Sequence, residues 1–206
     1  MTWIGQNRIW LILIVPLLLI AVGVSSFRLV TLYLPWQWSD PVVVKGSEGH
    51  LEQTFVDVDG VKRHRSVGVE VVSTQITDEF EGVAPVEGAV MWQVVLEFNA
   101  EPDQYLYGCE VELSDKQGNR YSYAGGLQAS EPDGFYLTPY LLACVPEDAP
   151  GPRAEVLGEQ IGEVGEERPL SWRQTVLIAT PQDVVPTKVR IGWSKPVYLV
   201  LDVPQF

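Results

Sequence analysis

The sequence predicts an all-β domain preceded by one transmembrane α-helix. One long uncharged apolar run lies near the N-terminus, and short apolar or alternating runs separated by turn residues fill the rest of the chain. The 206 residues therefore divide into a cytoplasmic tail at 1–8, a transmembrane helix with its flank at 9–34, a neck at 35–41 and a domain at 42–206.

The apolar run at 9–27 contains no charged residue, and thirteen of its nineteen residues are Leu, Ile, Val or Phe. At about 1.5 Å per residue such a helix spans roughly 28 Å, close to the thickness of a bilayer core. These side chains favour insertion by about 4 to 8 kcal/mol before deductions for proline, glycine and serine. Aromatic residues, whose rings prefer the head-group zone, mark both edges. They are Trp3, Trp10, Tyr33, Trp36 and Trp38.

A cleaved signal peptide is the alternative to a permanent anchor, because a short basic start and small residues after an apolar run also occur there. The run is longer than a usual signal core and no Ala-x-Ala pattern closes it, which favours a retained anchor. Arg8 and Arg28 flank the run on opposite sides, so basic residues do not decide the orientation. The short tail and a plausible disulfide pair in the domain place the N-terminus in the cytoplasm and the domain outside.

The acidity of the chain belongs to the domain. The formal net charge is -13, and the first forty residues hold only Arg8, Arg28 and Asp40 as charged groups. A domain this negative repels phosphate backbones, so we expect no nucleic-acid partner. The one basic cluster lies beside a predicted hairpin turn and is interpreted as a solvated strand face. It consists of Lys62, Arg63, His64 and Arg65.

About nine strands are predicted, enough for two packed antiparallel sheets. The clearest hairpin turns at Asp59-Gly60, a favoured two-residue turn. The run at 91–98 has one strongly apolar face and is expected to lie centrally in a sheet. The nine predicted strands cover 51–58, 61–72, 91–98, 107–114, 120–124, 140–145, 172–179, 187–193 and 197–203.

The segment at 146–169 has a different composition, with many acidic residues, Gly and Pro and few large apolar side chains. Such a segment buries too little surface to offset the entropy of ordering, so we predict a mobile acidic loop. A calcium or partner site is the alternative, although the carboxylates lack the dense spacing of an EF-hand loop.

Cys109 and Cys144 are the only cysteines, and both fall in predicted strands of the domain placed outside. An even number of cysteines in an oxidising compartment favours a disulfide bridge between them. Two buried thiols that never meet are the alternative, because a bridge requires Cα atoms within about 7 Å.

Candidate catalytic residues are few. His50 and His64 are the only histidines, and neither has the neighbours of a poised base. The sequence lacks a nucleophile elbow, HExxH, P-loop and CxxC, so we predict no catalytic residue, metal site or cofactor, and no enzyme. A carboxylate-pair glycosidase stays open because 27 acidic residues could supply a pair. Three tryptophans could line a sugar-binding face but are more typical of a core. They are Trp92, Trp172 and Trp193.

Four stretches carry a resemblance to a known class of proteins. They are the turn from Glu112-Leu113-Ser114-Asp115 into Gly118-Asn119-Arg120-Tyr121, the stretch Cys144-Val145-Pro146, and the closing strands at 189–193 and 197–203. In these features the chain resembles uncharacterised single-pass membrane proteins of Gram-positive, actinobacterial type with an immunoglobulin-like extracytoplasmic domain. The resemblance covers most of 66–206 and implies an immunoglobulin-like antiparallel β-sandwich. It supplies no activity or site residue, and the Cys…Trp…Cys spacing of antibody domains is missing.

These observations predict a membrane-anchored extracytoplasmic interaction or accessory protein. The expected partners are membrane lipid, through the helix, and another envelope or membrane protein. A small-ligand or carbohydrate receptor with exposed aromatic residues is the first alternative, and a carboxylate-dependent cell-wall hydrolase is the second.

Overall fold

The chain begins with a long apolar helix. The structure, a computed structural model, describes residues 3, 7–56, 60–123, 125–131, 134, 136, 143–154, 161–162 and 167–204. Helix α1 (Arg8–Arg28) continues into a π-helical turn at Leu29–Tyr33 and a 3₁₀ turn at Leu34–Trp36. By length and composition, Arg8–Trp36 can cross a membrane, and the rest of the described chain covers none of its most apolar part. The predicted span at 9–27 lies within α1.

The remainder of the described chain forms thirteen strands. They are β1 (Asp40–Val43), β2 (Glu48–Val56), β3 (Lys62–Thr77), β4 (Val83–Pro85), β5 (Ala89–Asn99), β6 (Glu110–Ser114), β7 (Arg120–Ser122), β8 (Leu127–Ala129), β9 (Arg153–Ala154), β10 (Ile161–Gly162), β11 (Ser171–Pro181), β12 (Lys188–Gly192) and β13 (Val197–Asp202). Eight of the nine predicted strands are among them. The additional strands have two to four residues each, too few to show a clear alternation in the sequence.

Two main sheets contain nine of these strands. The five-stranded sheet has the order β1-β13-β12-β6-β7, and the four-stranded sheet has the order β11-β5-β3-β2. All neighbouring strands in both sheets are antiparallel except β1 and β13, which are parallel. The pairs β4-β8 and β9-β10 form small antiparallel ladders. The prediction of a mostly antiparallel all-β domain is confirmed.

The predicted hairpin is formed by β2 and β3, while its turn at Asp59 lies outside the described residues. Strand β5 lies between β11 and β3, which confirms its predicted central position. Its apolar face enters a core shared by both sheets. Within that face Val94, Leu96 and Phe98 are fully buried, and Trp92 is half-buried at the end of the core.

An aromatic column made of Trp172, Phe98 and Trp193 connects the two sheets. Trp172 and Phe98 are cross-strand neighbours on β11 and β5, and their rings stack with centroids 5.6 Å apart. Trp193 directly follows β12 of the opposite sheet and meets Phe98 edge-on at 6.4 Å. Such aromatic pairs contribute about 0.5 to 1.5 kcal/mol each beyond their buried area. The column therefore fixes how the two sheets face each other.

A buried arginine lies at each end of the aromatic column. The guanidinium of Arg168 lies 4.8 Å from the centre of the Trp172 ring, and that of Arg65 lies 5.5 Å from the centre of the Trp193 ring. Both side chains are almost completely shielded from solvent. Desolvation lowers the pKa of Arg168 to about 10, against the opposing effect of the charge on Asp103. Cation-π contacts strengthen when they are desolvated in this way.

The loop between β5 and β6 passes from one sheet to the other, so its backbone carbonyls have no neighbouring strand to bind. The two arginines and a tryptophan satisfy them instead. Arg168 donates to the carbonyls of Glu101 and Gln104 at 2.8 and 2.9 Å, and to that of Pro150. Arg65 donates to the Tyr105 carbonyl, and the Trp193 indole donates to that of Leu106.

The prediction that the basic cluster forms a solvated strand face is wrong for Arg65. In β3 the odd positions from Arg65 to Val71 face the core, and Arg65 follows that alternation with 1% of its surface exposed. Its guanidinium is accommodated because Gln53 accepts a hydrogen bond at 2.8 Å and the Phe55 ring lies 4.2 Å away. Lys62 and His64, at even positions, are exposed as predicted.

Cys109 and Cys144 are joined by a disulfide, with their Cα atoms 6.0 Å apart. Neither cysteine lies in a strand, contrary to prediction, since Cys109 directly precedes β6 and Cys144 lies in a turn. Of the predicted strand at 140–145, residues 140–142 lie outside the described chain and the rest form that turn. The carbonyls of Cys144 and Val145 accept hydrogen bonds from the side chains of Trp172 and Gln174 rather than from a strand.

The predicted acidic loop is described only in part, because residues 155–160 and 163–166 lie outside the described chain. Its described portion includes the short ladder between β9 and β10. Arg168, near the end of the loop, is held in the core, so the mobility expected for 146–169 does not extend to this residue. Sequence composition missed it because one buried cation is hidden among many acidic neighbours.

Removing the disulfide should destabilise the domain. The double substitution Cys109→Ala and Cys144→Ala frees a loop of about 36 residues, and the chain-entropy model gives a loss of roughly 3 to 4 kcal/mol in unfolding free energy. Urea denaturation of the full chain in detergent, followed by tryptophan fluorescence, measures it. The reduced wild-type chain is the control and should match the double variant. A loss below about 1 kcal/mol would contradict the expectation.

Candidate functional site

The neck between the helix and the domain is docked on the outer face of the five-stranded sheet. The Trp38 indole donates a 2.7 Å hydrogen bond to the Glu110 carboxylate. Its ring meets the Tyr198 ring edge-on at 6.1 Å, and the ammonium of Lys195 lies 5.6 Å from the ring centre. We call Glu110, Gly192, Lys195 and Tyr198 the Trp38 seat. Aromatic, cationic and hydrogen-bond contacts thus converge on one side chain.

The Trp38 seat requires glycine at position 192. A Cβ atom there would lie 2.6 and 2.7 Å from two carbons of the Trp38 ring. Distances this short force a displacement, because carbon atoms in contact lie about 3.5 to 4 Å apart. Gly192 therefore provides the space in which the indole lies flat against the end of β12.

Backbone hydrogen bonds continue the docking beyond Trp38. The N–H groups of Ser39 and Asp40 both donate to the Pro196 carbonyl, at 3.2 and 3.1 Å. Strand β1 starts at Asp40, within the predicted neck, and pairs with the last strand, β13. Only Gln37 and Trp38 separate the final helical turn from these contacts. Backbone hydrogen bonds and the Trp38 contacts therefore both attach the neck to the domain.

Trp38, one of the aromatic residues predicted to mark the membrane edge, packs its ring on the domain. Trp36, 75% exposed, remains available for the head-group zone. The sequence contained no signal for this difference, because the partners of Trp38 are 72 to 160 residues away.

Charged side chains cover the sheet beside the Trp38 seat. Glu112 pairs with Arg190 at 3.1 Å and lies 3.9 Å from Arg120. The Arg190 guanidinium also lies 4.2 Å from the centre of the Tyr198 ring. Each charge in this group has an opposite charge or an aromatic face beside it. The arrangement stabilises the surface locally and leaves no concentrated charge for an ionic ligand.

A cavity of about 540 Å³ lies at the opposite end of the five-stranded sheet. Strand β6 begins at Glu110 beside the seat and ends before Asp115, so the two sites are about five residues, or roughly 17 Å, apart. The cavity is lined by Asp115, Lys116, Gln117, Asn119, Tyr121, Pro181, Asp183, Val184, Val185 and Thr187.

Asp115 organises the turn beside this cavity. Its carboxylate accepts hydrogen bonds from the backbone and side chain of Asn119, at 2.9 and 2.8 Å, and from the Tyr121 hydroxyl at 3.1 Å. Desolvation opposes ionisation, but the hydrogen bonds outweigh it and hold the pKa of Asp115 below its ordinary value. A general acid needs a raised pKa, so this carboxylate is suited to fixing the turn.

The two histidines are not brought together. His50 lies opposite Gly68 on the β2–β3 ladder and His64 opposite Thr54, four residues further along, which is about 13 Å. The His50 Nε2 atom lies 2.8 Å from the Ser66 hydroxyl and 3.8 Å from the Glu52 carboxylate. His64 lines a separate cavity of about 330 Å³.

The three tryptophans considered for a sugar-binding face do not form an exposed strip. Trp172 and Trp193 belong to the aromatic column and are buried. Their indole groups donate to the carbonyls of Cys144 and Leu106. Trp92 is half-buried and donates to the Thr180 hydroxyl at 3.0 Å. All three therefore serve the packing of the domain.

The described chain holds no cluster of three or more His, Cys, Asp or Glu side chains that could bind a metal ion. Several of the carboxylates considered for a calcium site lie outside the described residues. These carboxylates are Glu155, Glu159, Glu163 and Glu166.

Comparisons with known proteins identify no relative. No protein-family model, curated protein or solved structure matches the chain. The resemblance inferred from sequence motifs thus stays a prediction.

The Trp38 seat predicts a specific effect of Gly192→Ala. The added methyl displaces the Trp38 ring, and overpacking of this kind costs about 1 to 3 kcal/mol. Since each 1.4 kcal/mol is a factor of ten, hydrogen exchange at the amides of Ser39 and Asp40 should rise by roughly fivefold to 150-fold. Gly68→Ala is the matched control, because its added Cβ meets neighbours at an ordinary 3.6 Å. Unchanged exchange at both amides would show that the ring does not hold the neck.

Proposed function

We propose that this chain is a single-pass membrane protein that holds an immunoglobulin-like β-sandwich outside the cytoplasm as an interaction or accessory module. One observation carries the proposal: an uncovered apolar helix long enough to span a bilayer continues directly into a neck docked on the domain. A domain attached in this way is presented at a defined position and orientation. This arrangement suits recognition of a neighbour in or near the same membrane.

The strand order supports the immunoglobulin-like part of the proposal. In constant-type immunoglobulin domains, strands A, B, E and D form one sheet and C, F and G the other. Here β5 and β11 are neighbours as B and E are, and β6, β12 and β13 follow the order of C, F and G. The disulfide departs from that pattern, since Cys109 precedes β6 and Cys144 lies in a turn. The proposal therefore concerns the strand arrangement and not the antibody-type bridge.

The disulfide also supports the proposed orientation. Disulfides persist in oxidising compartments and are rare where thiols are kept reduced. Because Arg8 and Arg28 flank the helix on opposite sides, basic residues do not favour either orientation, and the Cys109–Cys144 bridge supports the proposed one.

A small-ligand receptor is the second candidate function, and the cavity beside Asp115 is the observation that favours it. Its volume of about 540 Å³ falls within the range of about 300 to 1,000 Å³ for ligand sites. The interaction module is preferred because the lining side chains Asp115, Asn119 and Tyr121 already bind one another.

The topology can be tested by cysteine labelling in intact cells. Glu87→Cys places an exposed thiol on the domain, and the native cysteines do not react because they are joined. A membrane-impermeant maleimide should label Glu87→Cys in intact cells. The control Thr2→Cys, in the N-terminal tail, should be labelled only after permeabilisation. The reverse pattern would overturn the proposed orientation.

The interaction role can be tested by site-specific photocrosslinking in intact cells. A photoreactive amino acid is placed at one of three exposed sites on separate surfaces, Glu52, Glu87 and Lys116. A module that binds a neighbour should give a discrete protein adduct from at least one site, absent without illumination. The same photoreactive amino acid, placed in the helix instead of Ile20, serves as the control for contacts with lipid and with other helices. No protein adduct from any domain site would overturn the role.

A further inference from the structure

In the part of the chain that the structure describes, one edge of strand β2 has no neighbouring strand. The Val71 N–H donates to the Ser47 carbonyl at 2.7 Å. Because hydrogen-bonded and non-hydrogen-bonded pairs alternate along an antiparallel ladder, this bond determines which β2 residues bind β3 through their backbone. Odd-numbered residues of β2 face β3, so the backbone groups of the even-numbered residues point away from the sheet. On β3, Ser66 shows the same alternation, because its N–H turns away from β2 and donates to Gln104. The outward residues are Glu48, His50, Glu52, Thr54 and Val56.

The other three edge strands are short, interrupted or flanked. Strand β7 has three residues, and β1 has four with Pro41 among them. The turn at Cys144 and Val145 lies against β11, where it accepts hydrogen bonds from Trp172 and Gln174. Proteins commonly protect sheet edges with shortness, proline, lysine or bulges. Strand β2 has nine residues without proline or lysine, and its pairing with β3 shows no register shift.

The exposed face of β2 indicates the chemistry of an additional strand. Glu48 and Glu52 lie four residues apart on that face, and the Glu52 side chain is 68% exposed. Opposite charges on neighbouring strands attract, and like charges repel. A strand added beside β2 would therefore match best with basic side chains four residues apart on its corresponding face.

A second copy of this chain fits this edge poorly. Parallel in-register pairing sets Glu48 beside Glu48 and Glu52 beside Glu52, which is repulsive. Antiparallel pairing avoids that repulsion only in registers that do not set one glutamate opposite another, and it inverts the second copy along the strand direction. The two helices would then emerge from opposite ends of the pair.

We propose that β2 receives an extended segment of another envelope or membrane protein, which adds as a fifth strand and carries two basic residues four positions apart. The inference rests on the proposed interaction role and assigns its surface. Main-chain hydrogen bonds to the even-numbered residues provide the attachment, and the two glutamates select the partner. The proposed recognition surface is the edge of the sheet that contributes Trp172 and Phe98 to the aromatic column.

The test uses the full chain in lipid nanodiscs and a defined peptide. The probe is a nine-residue peptide of Thr and Ser with Lys at positions 3 and 7, and the control peptide has Glu at both. The Lys peptide at saturation should slow hydrogen exchange at least tenfold at His50, Glu52 and Thr54. Amides at Leu51 and Gln53, already bound to β3, should not change. The Glu peptide should bind at least tenfold more weakly.

Two variants separate edge pairing from charge. Thr54→Pro removes an outward N–H while leaving the β3 ladder intact, and should weaken Lys-peptide binding at least tenfold. Glu52→Lys should reverse the preference between the two peptides. Glu87→Lys makes the same charge change at a distant exposed loop and should leave the preference unchanged. Retained protection at Leu51 shows that each variant is folded.

Three results would overturn the assignment. Unprotected even-numbered amides at saturating Lys peptide would show that the edge does not accept a strand. Protection that rises with protein concentration without peptide would identify a second copy as the occupant. Photocrosslinks from Lys116 without any from Glu52 would refute the β2 surface while leaving the interaction role standing.

Discussion

The aromatic column of Trp172, Phe98 and Trp193 is the contact on which the rest of the domain depends. Phe98 stacks on Trp172 of the neighbouring strand and contacts Trp193 of the opposite sheet, so one ring determines how the two sheets face each other. The two indoles then donate to carbonyls near the disulfide, at Cys144 and Leu106. Aromatic packing, hydrogen bonds to backbone carbonyls and the disulfide therefore lie close together in the domain. A substitution of Phe98 would affect all three.

Two buried cations in an acidic domain follow from the way the chain crosses between the sheets. The loop after β5 leaves its strand ladder, and its carbonyls need donors that a neighbouring strand cannot supply. Arginine suits this task because its planar guanidinium offers five N–H groups and stacks on aromatic rings. Arg168 binds three carbonyls while lying against Trp172, and Arg65 reaches Tyr105 while lying near Trp193. The buried charge is thereby solvated by the backbone.

Local sequence patterns predict the helix and the long strands, whereas contacts between residues far apart in the sequence determine the features that differ from the predictions. The helix at 9–27 and the central strand at 91–98 followed from apolar periodicity, which acts over a few residues. The charge of Arg65 predicts an exposed side chain, but its odd position in β3 makes it buried. The apolar residues around Cys144 predict a strand, but they form a turn. The contacts of Trp38 join three distant stretches of the chain, at 38, 110 and 192–198, so no short window of sequence contains them.

The parallel pairing of β1 with β13 gives the junction a particular response to mechanical load. A pull between the proposed anchor and the far end of the domain acts along β1, and its pairs with β13 run from Asp40 opposite Val197 to Val43 opposite Val200. Because the two strands point the same way, that pull shears the ladder lengthwise. All its hydrogen bonds are strained together, whereas peeling would break them one after another. If the proposed neighbour pulls on the domain, β13 therefore bears the load that passes to the proposed anchor.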